Sequence, residues 1–531
     1  MTSRISLLAA GLSVGLAGGL AALPVSTPAS AAQAPMAPAA GVKMRSVKVT
    51  NACLDSVPEP GTTEKVKICY TLIKPAQASK RKKVPLIMHS HGWGGSRTSN
   101  PTSFEAFTKA GYGILSFDQR GFGESGGHAH VENPDIEGHD VRALVKLISK
   151  LKWVKKDRPG DPRIGAIGGS YGGGYQFLGA FEEIRVKGRQ VFDALAPQIT
   201  WHDLKESLAP SGVVRTEWAL ALAAAGLPTD ALPPEIYKAL AEGAATGVWP
   251  DGSVPGTEDL DAFFLKNGPK WQISQGRKLT IPVLFGQGMT DTLFSTEQGL
   301  RNWRKALTRK ARRNSIFVGY NGGHTLPAIY PQGTGVASDP CSKQLGGGNF
   351  EQLSIRFFNE QLKHRKAKRK LTGYNRIHLA TRDSQCVTSR NAQPTKTFAL
   401  GTVVAQTGPS GPAVATEVAQ GPITVAGSSF LTAEVTSAAL EGRTFIGLAV
   451  GTTPLDAQLV QNNVLPLREA TPVVGLKRKI TIPAAAVTVP AGKSLFLIFS
   501  PSSETFAGMS SRTPGVITLD NTVLHLPVQA K

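Results

Sequence analysis

The sequence predicts a doubly wound α/β fold with a mostly parallel sheet, an inserted helical cap and a C-terminal β-sandwich. Short apolar runs alternate with helix-like segments up to about residue 200, and an Ala/Leu-rich helical stretch follows. Beyond about residue 371, Val, Thr and Ile dominate and turn residues recur at short intervals, which is typical of a sandwich or jelly roll. With 531 residues, of which 41% are hydrophobic, the chain is long enough for two folded units.

The strands of the sheet are predicted from short apolar runs of the kind found in buried parallel strands. These runs cover residues 84–89, 113–117, 163–168, 192–196, 281–285 and 315–318. Helical spacing of apolar residues predicts the cap at 201–275, between two of these strands. The first domain is therefore predicted at 42–362 and the β-sandwich at 371–531, with a basic linker between them.

The N-terminus has the pattern of a secretory signal peptide, predicted at 1–31. Arg4 precedes an uncharged Ala/Gly/Leu-rich stretch, and Ala29-Ser30-Ala31 forms a small-residue cleavage site. A retained membrane anchor is the alternative, because the apolar run is nearly long enough to span a bilayer. No later apolar run has that length, so the processed chain is expected to be secreted and without a transmembrane span.

Four cysteines fit an exported protein, because disulfides persist in oxidising compartments. They are Cys53, Cys69, Cys341 and Cys386. We favour the pairs Cys53–Cys69 and Cys341–Cys386, which close the shorter loops, although four cysteines permit three pairings.

The chain carries a formal net charge of +21, from 59 Lys and Arg against 38 Asp and Glu. Basic runs at 80–83, 309–313 and 363–370 contribute much of it. Such runs attract polyanions, and for an exported protein an anionic cell-envelope surface is a more plausible partner than nucleic acid. A solvated basic face without a partner is the alternative.

The main chemical signal is Gly168-Gly169-Ser170-Tyr171-Gly172, which lies between a predicted strand and a helix-like segment. This is the setting of a nucleophile elbow, in which small residues on both sides of the Ser allow a strained turn. The pattern predicts Ser170 as a nucleophile. A glycine-rich turn without chemistry is the alternative.

A serine nucleophile needs a base and an acid, and both candidates follow Ser170 in the order that such elbows require. Asp291 and His324 each come just after a predicted strand, where α/β active sites form. Asp291 as a helix cap and His324 as an ordinary loop residue are the alternatives.

Two backbone N–H groups are predicted to bind the oxyanion, those of Tyr171 and Trp93. Trp93 belongs to the glycine-rich loop His91-Gly92-Trp93-Gly94-Gly95, in which His91 is expected to be structural. No metal or other cofactor is expected. The histidines and carboxylates between His128 and Asp140 lack the spacing of a standard metal site.

With these residues the chain resembles the bacterial cocaine-esterase and Xaa-Pro dipeptidyl-peptidase group of α/β-hydrolases. The elbow is one basis of the resemblance, and the stretch 117–127 with its D-x-R-G-x-G-x-S-x-G pattern is a more specific one. Asp291, His324 and the predicted domain plan also match. The resemblance implies an α/β-hydrolase fold and hydrolysis of an ester or amide through Ser, His and Asp.

The chain departs from that group at the loop after the third strand. Family members commonly place there a Tyr whose hydroxyl helps to bind the oxyanion, whereas this chain has Trp93. The sequence also offers no recognisable acidic pair for a free peptide amine. We therefore expect a secreted serine hydrolase acting on a small ester or peptide, either an Xaa-Pro dipeptidyl-peptidase-like peptidase or a broader carboxylesterase. A catalytically idle envelope-binding protein, using the basic runs and the β-domain, is the alternative.

Overall fold

A ten-stranded mixed sheet forms the centre of the first 390 residues. The computed structural model describes residues 47–246, 249–324, 338–363, 371–461 and 463–530. Its strands up to residue 389 are β1 (Lys48–Pro58), β2 (Lys65–Lys74), β3 (Leu86–Ser90), β4 (Gly113–Phe117), β5 (Lys156–Arg158), β6 (Asp161–Pro162), β7 (Ile164–Gly169), β8 (Phe192–Gln198), β9 (Leu284–Gly288), β10 (Ile316–Tyr320), β11 (Arg376–Ala380) and β12 (Cys386–Ser389). Strands β5 and β6 form a separate hairpin.

The order of the strands creates a reversal next to β3. The sheet runs β1-β2-β4-β3-β7-β8-β9-β10-β11-β12, and the strands from β4 to β11 are parallel. The chain passes from β3 to β4 on one side and then to β7 on the other. Such a switch point leaves a crevice at the carboxyl ends of the strands, where α/β proteins bind ligands.

Helices cover both faces of the sheet, as expected for a doubly wound fold. They are α1 (Glu105–Lys109), α2 (Glu137–Lys150), α3 (Tyr171–Lys187), α4 (Leu204–Leu208), α5 (Thr216–Gly226), α6 (Pro234–Thr246), α7 (Leu260–Phe264), α8 (Pro269–Ser274), α9 (Thr296–Lys305), α10 (Arg309–Arg313), α11 (Pro340–Gln344) and α12 (Phe350–Lys363). Successive side chains of a strand point to opposite faces of the sheet, so the strands contribute to two apolar clusters. Leu86 and Met88 pack with α2, α3 and α9, whereas Ile87 packs with α1 and α12.

Helices α4 to α8 lie between β8 and β9, in the segment where the sequence predicts the cap. Helices α4 to α7 share one apolar cluster with residues of the C-terminal region, including Phe445 and Phe506. The cap is therefore packed on the rest of the molecule at its far side as well as over the sheet.

The C-terminal region is a two-sheet β-sandwich. Its strands are β13 (Lys396–Thr407), β14 (Val414–Gln420), β15 (Ile423–Ser437), β16 (Gly442–Gly451), β17 (Gln458–Leu459), β18 (Leu465–Glu469), β19 (Val473–Val489), β20 (Ser494–Ser500) and β21 (Gly515–Leu526). One sheet has the order β13-β21-β15-β19, and the other has β14-β20-β16-β17 with β18 beside β16. Their inner faces form a common apolar cluster.

The start of the sandwich differs from the predicted boundary at residue 371. Strand β11 pairs in parallel with β10, and β12 pairs with β11, so both complete the central sheet. The first strand of the sandwich is β13, which begins at Lys396. The boundary was misplaced because β11 and β12 have the same β-rich composition as the sandwich strands.

Both favoured cysteine pairs are bonded. Cys53–Cys69 joins neighbouring positions of β1 and β2, and Cys341–Cys386 ties α11 to β12. In the part of the chain that the structure describes, every helix falls short of the length and apolar character that crossing a bilayer requires. The predicted signal peptide at 1–31 and most of the basic run at 363–370 lie outside the described residues.

Candidate active site

Ser170 occupies the turn that joins β7 to α3. Its backbone is strained, with φ 57° and ψ −123°, in a region that residues other than glycine rarely adopt. A Cβ at Gly168 would collide with the carbonyl of Gly172, and a Cβ at Gly172 would collide with the carbonyl of Ser90. Gly168 and Gly172 are therefore required, because a neighbouring backbone carbonyl lies too close to each of them for a side chain to fit.

A chain of two hydrogen bonds connects Ser170, His324 and Asp291. The Nε2 atom of His324 lies 2.7 Å from the Ser170 Oγ, and its Nδ1 lies 2.7 Å from the Asp291 Oδ2. An ionised carboxylate only accepts hydrogen bonds, so Nδ1 carries the proton and the lone pair of Nε2 faces the serine hydroxyl. The structure thus brings together three residues, the first and last of which are 154 positions apart in the sequence.

The Asp291 carboxylate is fully buried and held from both sides. Its Oδ1 accepts hydrogen bonds from the backbone N–H groups of Leu293, at 2.9 Å, and Phe294, at 2.7 Å. Its Oδ2 also accepts one from the N–H of His324 at 3.1 Å. The same carboxylate therefore holds the imidazole and closes the turn after β9. It does not cap the following helix α9, whose N-cap is Ser295.

The imidazole of His324 is enclosed by aromatic rings. Phe294 and Trp218 approach it edge-on, with ring centroids at 5.1 and 5.8 Å. Trp218 belongs to the cap, and its indole N–H donates to the Thr292 hydroxyl at 3.0 Å, which in turn donates to the His324 carbonyl at 3.2 Å. The cap thus helps to fix the position of His324.

A buried cation from the cap lies near the Asp291 carboxylate. Burial lowers the pKa of Arg215 to about 10, and the charges of Asp291 and Glu206 oppose that effect. Arg215 therefore stays protonated at neutral pH and provides a positive counterpart to the buried Asp291. Arg215, Thr292 and Trp218 were not predicted from the sequence as site residues. Only Thr292 could have been suspected, because it directly follows Asp291.

The glycine-rich loop after β3 reaches the elbow. A Cβ built on Gly92 would lie 3.7 Å from the Cβ of Ser170, so the next peptide N–H, that of Trp93, is close to the nucleophile. Tyr171 is the first residue of α3, where backbone N–H groups have no acceptor within the helix. The indole N–H of Trp93 donates to the Leu222 carbonyl at 2.9 Å, so that side chain is bound to the cap.

His91 holds this loop in place through hydrogen bonds, as expected for a structural histidine. Its Nε2 accepts from the Gln119 N–H at 3.1 Å, and its Nδ1 lies 2.8 Å from the Gly92 carbonyl. Burial lowers its pKa, which favours the neutral ring. His91 therefore connects the loop after β3 to the loop after β4.

The loop after β4 is held by ion pairs. Asp118 pairs with Arg97, and the fully buried Arg120 binds Asp140 through two nitrogens and Glu59 at 2.7 Å. His130 also pairs with Glu59. These groups are occupied by structural contacts, and among the described residues no cluster of His, Cys, Asp or Glu has the arrangement of a metal site.

A protein-family model matches about half of the chain. Residues 64–325 match the family model described as X-Pro dipeptidyl-peptidase (S15 family). The matched segment contains Ser170, Asp291 and His324. The match confirms the resemblance predicted from the sequence, and it supports a hydrolase of ester or peptide bonds.

Solved structures confirm the fold over nearly the whole chain. A CocE/NonD family hydrolase from Staphylococcus aureus superposes with a TM-score of 0.60 at 13% identity, covering 92% of this chain and 98% of the other. An aminopeptidase from a marine sediment Thaumarchaeota archaeon gives a TM-score of 0.62 at 14% identity, covering 95% of this chain and all of the other. At these identities the likeness establishes an α/β-hydrolase fold with a C-terminal β-rich region.

Curated relatives match only a short segment. An uncharacterized 31.7 kDa protein from the traX-finO intergenic region of Escherichia coli is 40% identical over 107 residues, or 20% of this chain and 35% of that protein. An uncharacterized protein of the K12 strain, YcjY, is 28% identical over 115 residues, or 21% of this chain and 36% of that protein. The chain spans about a third of the length of the curated relatives it matches.

Proposed function

We propose that this chain is an exported serine hydrolase that cleaves ester or amide bonds through an acyl-enzyme. The observation that carries the proposal is the imidazole of His324, placed within hydrogen-bond distance of both the Ser170 hydroxyl and the Asp291 carboxylate. This arrangement of nucleophile, base and orienting acid is what acyl transfer needs.

The reaction begins when Ser170 attacks the substrate carbonyl carbon and His324 takes the hydroxyl proton on Nε2. Asp291 stabilises the resulting imidazolium through its Nδ1–H bond. His324 then gives the proton to the leaving alcohol or amine. In the second half, His324 deprotonates a water molecule, which attacks the acyl-enzyme and regenerates the free serine.

The negative charge that develops on the carbonyl oxygen requires donors that already point at it. We assign this role to the backbone N–H groups of Trp93 and Tyr171. Two features support the assignment: Tyr171 opens α3, and the loop carrying Trp93 lies against Ser170. Because the Trp93 indole is hydrogen-bonded to the cap, oxyanion binding rests on backbone donors alone.

Export is supported by two features of the chain. The two disulfides fit an oxidising compartment, and the N-terminal sequence has the pattern of a signal peptide.

A fluorophosphonate probe tests the proposal, because it reacts only with an activated serine. We expect the wild-type protein to be labelled and Ser170→Ala to remain unlabelled while keeping its thermal unfolding midpoint. Absence of labelling in a folded wild-type protein would contradict the proposal and would favour the idle envelope-binding alternative.

A further inference from the structure

An apolar cavity opens directly beside the nucleophile. It measures about 700 Å³, including the space at its mouth, and Ser170 is part of its wall. The rest of the described wall is aromatic or aliphatic and includes Trp93, Trp201, Trp249, Ala219, Ala223 and Leu240. None of these described residues carries a charge.

The polar atoms of the lining tryptophans are directed elsewhere. The indole N–H of Trp93 donates to the Leu222 carbonyl, that of Trp201 to the Asn267 carbonyl at 2.8 Å, and that of Trp249 to Asp261 at 2.7 Å. The tryptophans therefore present carbon surfaces to the cavity. Near Ser170 the described wall is suited to hydrocarbon.

A second apolar cavity lies in the cap beside the first. It measures about 730 Å³, including the open space at its mouth, and extends to Leu260 and to Met509 of the C-terminal region. The two cavities share four wall residues, Ala219, Ala223, Leu240 and Trp249. Two of the four are alanines one helical turn apart on α5, so small side chains form part of the wall that the two cavities share.

A free peptide amine fits this site poorly. An ammonium group buried without a partner is costly, and the described wall offers no carboxylate to bind it. The nearby Glu132 lines a different, smaller cavity together with Phe177 and Lys266. Recognition of a charged N-terminus, as a dipeptidyl-peptidase requires, is therefore not provided by these residues.

We propose that the substrate is a neutral ester with an extended aliphatic acyl chain, which lies in the first cavity and extends along α5, past Ala219 and Ala223, toward the second. This inference rests on the proposed function, because the chain must be attached to the carbonyl that Ser170 attacks. Each methylene that leaves water for such a wall favours binding about fourfold. Longer acyl chains are therefore favoured until the cavities are filled.

The test is a chain-length series of p-nitrophenyl esters, from acetate through butyrate and octanoate to laurate, because the leaving group stays constant. We expect kcat/KM for octanoate to exceed that for acetate by on the order of 1,000-fold, since six additional methylenes at about fourfold each give roughly 4,000-fold when all of them are buried. Gly-Pro-p-nitroanilide is run in parallel and is expected to be turned over poorly.

Ala223→Phe tests the wall that the two cavities share. It is expected to lower the ratio of kcat/KM for laurate to kcat/KM for acetate at least about tenfold, since the added ring takes up space along α5 that a long chain fills and a short chain does not. Ala224→Phe is the matched control, because Ala224 is the next residue of α5 and is exposed. It is expected to leave the whole series unchanged.

The outcomes distinguish this inference from the function on which it rests. A flat or falling chain-length profile, or efficient cleavage of Gly-Pro-p-nitroanilide, in a protein whose Ser170 reacts with fluorophosphonate overturns the acyl-chain proposal alone. An equal loss for laurate in both Ala variants also overturns it. A folded protein that neither reacts with the probe nor cleaves any ester overturns both.

Discussion

Single side chains in this site each serve more than one purpose. The Asp291 carboxylate orients His324 and also accepts the N–H groups of Leu293 and Phe294. Trp218 packs against the imidazole from the cap and is hydrogen-bonded to Thr292. The geometry of His324 therefore depends on contacts from the sheet and from the cap together.

Asp291→Asn tests the orienting role of this carboxylate. The amide oxygen can still accept the N–H groups of Leu293 and Phe294, but the amide N–H₂ opposes the Nδ1–H of His324 and favours the wrong tautomer. We expect kcat to fall by about 10⁴-fold with little change in KM, as happens when the corresponding carboxamide is placed in serine proteases. Steady-state kinetics on p-nitrophenyl esters provide the measurement.

A thermal unfolding curve serves as the control for that variant. A midpoint close to that of the wild type would assign the loss of rate to the tautomer. Retention of more than about a tenth of the wild-type kcat would contradict the orienting role.

At the scale of elements, the loops at the carboxyl edge of the sheet are joined by buried polar groups. Glu59, just after β1, accepts hydrogen bonds from Arg120 at 2.7 Å and from the His128 N–H at 3.1 Å, and it pairs with His130 at 2.8 Å. Arg120 extends the network to Asp140 on α2. The edge strands and the loop after β4 are thus tied to the helices that flank the site.

This network predicts a loss of stability in acid. Burial raises the pKa of Glu59, but hydrogen bonds from His130 and Arg120 outweigh it and lower the pKa to about 2. Because the pKa is depressed in the folded state, the stabilisation is present above the unfolded value of about 4.5 and is lost as the pH falls toward about 2. We expect Glu59 to account for roughly 2–3 kcal/mol of the decrease across that window.

Urea denaturation at a series of pH values measures this contribution. Glu59→Gln is expected to flatten the acid limb of the stability curve, whereas Glu124→Gln, whose side chain is 71% exposed, should follow the wild type. Parallel acid limbs for the wild type and Glu59→Gln would contradict the role given to this network.

At the scale of the whole molecule, the sequence predicted features that depend on local patterns better than features that depend on long-range strand pairing. The elbow, the order of Ser170, Asp291 and His324, and both cysteine pairs follow from short stretches of sequence. The assignment of β11 and β12 to the central sheet does not, because it depends on pairing with β10 across two helices. Burial of Arg215 near Asp291 is also invisible in the sequence, since it depends on how the cap docks.

The packing of the C-terminal region against the cap is a second feature that spacing alone did not reveal. The guanidinium carbon of Arg215 lies 4.8 Å from the centroid of the Phe506 ring. Met509 borders the second apolar cavity. The sandwich therefore contributes to the environment of the site. The sequence held no sign of which of its apolar residues would contact the cap.

The central claim is that Ser170 forms a covalent acyl intermediate, and intact-mass spectrometry after rapid acid quenching tests it most directly. With p-nitrophenyl octanoate in excess, the account predicts a mass increase of one octanoyl group, located by peptide mapping on Ser170 and missing in Ser170→Ala. Steady turnover of the ester by the wild type without any acyl adduct, together with a Ser170→Ala protein that remains as active as the wild type, would contradict this mechanism.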